Sequence, residues 1–126
     1  MTGVQTCALP ILPSQLELVR QAVEHDLSFL AARLRGVPVV VAPYFPAVGV
    51  GPRFELVRRM VHEQSATVGL MSTDAMSLAV DGDTDKLSID GIHPDDAGHA
   101  AIARAMIQLY EELMPALCTP GAQRSA

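Results

Sequence analysis

A chain of 126 residues has room for one small domain and no more. Hydrophobic residues make up 49% and charged residues 18%, a balance that suits a packed core rather than a disordered tail. The net charge is −5 with no basic run and few aromatics, so nothing points to a nucleic-acid partner; no apolar stretch approaches the roughly 18 residues that would read as a membrane span.

Residues 1–11, MTGVQTCALPI, resemble a translated sequencing adapter and are expected to be non-native. A signal peptide would need a basic start, and the first Lys or Arg is Arg20. A first strand would be interrupted by Pro10 and Pro13. On the adapter reading the native frame extends upstream of about Leu12, and Cys7 drops out of any chemistry. Cys7 and Cys118 leave a disulfide open, but two cysteines say little about redox compartment.

Residues 14–35 read as a helix, with Leu16, Val19, Val23, Leu27, Leu30 and Leu34 forming one apolar stripe. Ser14 is the expected N-cap, Glu17 its capping-box partner, and Gly36 ends the helix. Residues 37–42, VPVVVA, form a continuous apolar run that predicts a strand buried on both faces of a parallel sheet. The turn Pro43-Tyr44-Phe45-Pro46 follows. A second amphipathic helix is expected over 53–65, with Phe54, Val57, Met60 and Val61 inward. Residues 67–72 predict a short strand, Asp74 to Val80 a helical turn, and 81–92 a polar loop. A last helix is expected from Pro94 to about Met114, with Ile102, Ala105, Met106, Leu109 and Leu113 inward. Alternating helices and strands point to an α/β doubly wound parallel sheet. Two strands are too few for one, and the missing strands are expected upstream of this sequence. Edges of the 37–42 strand would then be exposed and prone to aggregation.

The chemistry concentrates in Ser88-Ile89-Asp90-Gly91-Ile92-His93-Pro94-Asp95-Asp96-Ala97-Gly98-His99. Pro94 fits the first helical position, and Asp95 and Asp96 complement the helix dipole. His93 then sits on a loop just before a helix, with Asp90 three residues earlier across a glycine. A tight turn would bring the Asp90 carboxylate to His93 Nδ1, fix the tautomer and leave Nε2 as a general base. Spacing alone leaves a second reading open, a solvated surface pair.

The string Asp90-Gly91-Ile92-His93-Pro94-Asp95-Asp96-Ala97-Gly98, followed by an Ala/Ile-rich helix, resembles the last conserved block of the SGNH (GDSL-type) hydrolase family. The resemblance extends over about residues 14–115. It implies the C-terminal part of a flavodoxin-like domain over 12–115, followed by a flexible tail at 116–126. It also implies a carboxylic ester hydrolase with an acyl-serine mechanism. In that family a Gly-Asp-Ser block supplies the nucleophile, and its backbone N–H, a glycine and an asparagine form the oxyanion hole. His93 matches the base and Asp90 its orienting partner. No metal or organic cofactor is implied. The partner is a small-molecule ester: an acetylated sugar, a lipid ester or a small acyl ester.

The chain departs from that pattern in two places. It has no asparagine, and none of its seven serines lies in a Gly-Asp-Ser or Gly-x-Ser-x-Gly sequence. A base without its nucleophile has nothing to activate, so the chain alone is expected to show no esterase turnover above background. Asp81, Asp83 and Asp85 alternate like a calcium loop, but Lys86 and Ile92 stand where Gly and Glu are needed. His62-Glu63 lacks the second histidine of a zinc protease motif, and His99, six residues after His93, shares no helix face with it. His25, His62 and the Arg58-Arg59 pair read as helix surface, and Asp74 has no assignable role. Two rivals remain: an α/β interaction module in which Asp90 and His93 only cap the last helix, and a small metal-binding domain using that pair with the acidic loop.

Overall fold

The computed structural model describes residues 13–47 and 51–117. Cys7, Cys118 and the adapter-like residues 1–11 lie outside them. The described chain runs α1 (Pro13–Arg33), β1 (Val40–Val41), α2 (Pro52–Thr67), β2 (Met71–Ser72), α3 (Ala75–Val80), a 3-10 turn (Thr84–Lys86) and α4 (Asp96–Leu117).

Helix α1 begins at Pro13, so Ser14 lies inside it rather than capping it. The fixed φ of proline suits a first helical position. Arg20 bridges Glu17 and Glu24 along the exposed face. Gly36 takes φ +78 in the turn that releases the chain, the left-handed role expected of it. Of the apolar stripe only Leu27 is buried, and Leu30 and Leu34 are 38% exposed.

Strands β1 and β2 pair in parallel, Val40 beside Met71 and Val41 beside Ser72, with α2 as the crossover. Thr73 N–H extends the ladder to the Val41 carbonyl at 2.9 Å. The fold is therefore mixed helix and strand around a small parallel sheet. The expected strand over 37–42 contracts to Val40–Val41, both half-buried, and Val37 is exposed. A strand extends only where a partner offers hydrogen bonds, and β2 offers two residues; Pro38 also lacks an N–H to give.

The core lies where α3 packs on α4 and α1 on α2. Its buried apolar residues are Val80 of α3, Ala101 and Ile102 of α4, and Leu27 of α1. Two fully buried hydroxyls are satisfied inside it. Ser65 Oγ donates to the Val61 carbonyl one turn back at 2.6 Å. Ser77 Oγ donates to the Pro43 carbonyl and accepts from Phe45 N–H at 2.9 Å, which pins the loop after β1 onto α3. Phe54, expected inward, is exposed on one side, but its ring meets Phe45 at 5.9 Å.

Helix α4 starts at Asp96, not Pro94. Pro94 forms an isolated antiparallel bridge with Leu87, and Asp95 caps the helix by accepting Gly98 N–H on Oδ1 at 2.8 Å. The helix continues through Pro115 to Leu117, so the expected tail begins inside it; residues 118–126 lie outside the described residues. No helix among the described residues is long and apolar enough to cross a membrane.

Candidate active site

The loop from Ser88 to His93 is closed at its base. Ser88 N–H donates to the His93 carbonyl at 2.7 Å, beside the bridge between Leu87 and Pro94. At its tip Gly91 takes φ +68, a conformation that folds the chain back and costs an L side chain strain. The turn delivers Asp90 to His93. Asp90 Oδ1 accepts the backbone N–H of Ile92 at 2.9 Å and of His93 at 3.0 Å, and Oδ2 accepts His93 Nδ1–H at 2.5 Å.

These bonds fix one charge and one tautomer. The His93 bond first, then the two backbone donors, lower the Asp90 pKa to about 2, so the carboxylate is ionised and accepts only. Nδ1 of His93 must then carry a hydrogen, which in the neutral ring leaves the lone pair on Nε2. The His93 side chain is 75% exposed, so that lone pair faces open space. Neither residue caps α4, because the amides that Asp90 binds precede the helix and Asp95 does the capping.

Two contacts hold this loop in place. Tyr44 Oη, on the loop after β1, donates to the Ile92 carbonyl at 2.8 Å across 48 residues of sequence. Burial, then the Asp90 charge, raise the Tyr44 pKa. Gly98 is buried, and a Cβ there would meet the Lys86 carbonyl oxygen at 2.1 Å and Pro94 Cβ at 2.8 Å. The second glycine of the motif therefore lets the start of α4 lie directly on the 3-10 turn that leads into the Asp90 loop.

A second polar cluster was not legible in the sequence. His62, expected on the helix surface, is only 23% exposed and stands between Ser72 and Asp74. Its Nδ1 lies 2.6 Å from Ser72 Oγ and its Nε2 2.8 Å from Asp74 Oδ1. Asp74 Oδ2 accepts Arg58 Nη1–H at 2.7 Å, while Glu55 takes the other edge of that guanidinium. The Glu55 bond, with help from Asp74, raises the Arg58 pKa. Arg58 is thus no free surface cation. Asp74 stands at the N-cap position of α3 yet makes no cap bond with its side chain: its backbone (φ −93, ψ 9) is not extended as in a capping residue, Thr73 Oγ1 accepts the Ala75 N–H at 3.1 Å, and the carboxylate turns to Arg58 and His62. Sequence reasoning missed the cluster because its members come from α2, the end of β2 and the start of α3.

The other candidates stay apart. His25 and Asp26 are neighbours on an exposed face of α1, and His99 is exposed in the first turn of α4. In the acidic loop Asp83 caps the 3-10 turn by accepting Asp85 N–H and pairs with Lys86 at 3.2 Å. No group of three or more His, Cys, Asp or Glu among the described residues is placed to hold a metal ion. Comparison with protein-family models, curated proteins and solved structures finds no match to this chain.

Proposed function

We propose that this chain carries the Asp–His part of a carboxylic ester hydrolase of the SGNH type, built on a flavodoxin-like sheet and working through an acyl-serine intermediate. One observation carries the reading: Asp90 binds His93 Nδ1 at 2.5 Å while Nε2 stays exposed and unpartnered among the described residues. Asp90 orients the ring and stabilises the imidazolium. His93 Nε2 takes the proton of the attacking serine and returns it to the leaving alcohol. The Gly-Asp-Ser serine and the oxyanion asparagine that this mechanism requires have no counterpart in this sequence. The mechanism calls for no metal or organic cofactor.

The test has two steps. Sequencing the source DNA upstream of the Leu12 codon should reveal an open frame with a Gly-Asp-Ser block and, between it and Leu12, Gly- and Asn-bearing blocks. The protein from that frame should hydrolyse p-nitrophenyl acetate, and His93→Ala should slow it about a hundredfold or more, the usual contribution of a general base. DNA that confirms residues 1–11 and a start at Met1 removes the nucleophile and the proposal with it. In that case the interaction-module reading gains, and Ile89, fully exposed beside Asp90, together with half-exposed Ile92 would be its contact residues.

A further inference from the structure

The chain Arg58–Asp74–His62–Ser72 has the connectivity of a nucleophile relay, and it uses neither Asp90 nor His93. The tautomer of His62 follows from its partners. Asp74, ion-paired to Arg58, can only accept, so His62 Nε2 carries the hydrogen. In the neutral ring Nδ1 then holds the lone pair and accepts the Ser72 O–H at 2.6 Å. That is the arrangement in which a serine is activated by an adjacent base whose tautomer a carboxylate fixes; such triads are recognised by geometry rather than by motif.

Position agrees with this role. Ser72 is the last residue of β2, and ligands of open α/β sheets bind beyond the carboxyl ends of the strands. Ser72, His62 and Asp74 share the wall of an open cavity of about 390 Å³ with Arg58, Arg59 and Glu63. Two guanidiniums face two carboxylates there, so the wall selects no net charge. Arg59, which makes no hydrogen bond or salt bridge among the described residues, contributes one of those positive charges to the wall.

We infer that Ser72 is an activated nucleophile that takes an acyl or phosphonyl group from a small neutral ester or fluorophosphonate, with His62 as its base. In the phosphonate case the Oγ–P bond forms, the P–F bond breaks, fluoride leaves and the Ser72 proton passes to His62 Nδ1. With an ester, Oγ bonds to the carbonyl carbon, and the alkoxide leaves with the proton from His62. This departs from the expectation that no serine of the chain acts as a nucleophile. It is independent of the Asp90–His93 proposal.

The test is labelling of the whole chain with an alkyl fluorophosphonate, read by intact mass and peptide mapping. One adduct on Ser72 is expected, absent in Ser72→Ala. His62→Ala should slow labelling about a hundredfold, the typical contribution of a general base. Asp74→Asn, a near-isostere that permits the wrong tautomer, should slow it at neutral pH and change its pH profile, which a merely structural role would not do. His93→Ala should leave labelling unchanged, which separates this site from the proposed esterase pair. An unlabelled Ser72 in wild-type chain that is folded by circular dichroism overturns the inference without recourse to any variant. So does labelling that survives His62→Ala, or labelling that depends on His93.

Discussion

Gly98→Ala puts the packing beneath the Asp90 loop to a test of sign. In an ordinary helix this change stabilises by about 1 kcal/mol, because glycine is a poor helix former. Here the new Cβ would stand 2.1 Å from the Lys86 carbonyl oxygen, whereas real Cβ contacts stop near 3.0 Å. The gap must therefore open by about 0.9 Å, against a backbone atom rather than a side chain that can swing away. That carbonyl also accepts Asp95 N–H at 3.0 Å, so relief means separating the 3-10 turn from the start of α4. Overpacking costs about 1–3 kcal/mol, and a backbone obstacle belongs at the top of that range. Less the helix-propensity gain, the variant should lose about 2 kcal/mol. Urea unfolding followed by far-UV circular dichroism should show the midpoint falling by about 1–2 M, given slopes of about 1–2 kcal/mol/M for a small domain. Gly91→Ala is the companion: nothing lies within 4 Å of its Cβ, but φ is +68, so it should lose about 1 kcal/mol from backbone conformation alone. A Gly98→Ala protein as stable as wild type, or more stable, would refute the close approach of α4 to Lys86.

The Asp90 carboxyl should titrate near about 2 rather than at its ordinary 3.8 in carboxyl-carbon NMR, and His93→Ala should move it back toward 3.8 by removing the largest cause. Because the folded-state value is the lower one, its stabilisation is full above about pH 3.8 and fades as pH falls through about 2; an unshifted Asp90 in the wild type would contradict the turn. Tyr44→Phe removes the hydroxyl bound to the Ile92 carbonyl and should cost about 0.5–1.5 kcal/mol, with faster amide exchange at Ile92 and His93. In a Tyr110→Phe background the remaining phenol should titrate above its ordinary 10, and a Tyr44 that titrates at 10 or below would contradict its burial beside Asp90. Ser77→Ala should cost about 1–3 kcal/mol, because Phe45 N–H loses its acceptor in a buried setting; an unchanged melting temperature would count against that bond.

What the sequence made legible followed local rules. The Asp90 turn could be read because its parts are three residues apart and a glycine marks the bend. Likewise, α4 could be read from its apolar spacing, though not its start. Pro94 fits a first helical position, but Asp95 outcompetes it by offering a carboxylate to Gly98 N–H. The sheet was overestimated because VPVVVA states only a preference for extended chain. Pairing decides length, and two residues of β2 end it. Leu30 and Leu34 fit a helical stripe equally well and remain part-exposed, since periodicity says which face is apolar and not how much of it another element covers.

The two histidines mark the boundary of that legibility. His93 announces itself because the residue that orients it is its neighbour in sequence. His62 is equally well oriented, yet its partners lie ten and twelve residues downstream, beyond a helix end and a strand. Read alone, His62 on an amphipathic helix beside Glu63 is indistinguishable from a solvated residue. Only the parallel register that sets Ser72 beside Val41 shows otherwise, together with the start of α3 two residues later, which carries Asp74 back toward α2. Asp74 itself stands before α3 while Thr73 Oγ1 accepts the Ala75 N–H, which leaves the Asp74 carboxylate to bind a guanidinium and an imidazole at once.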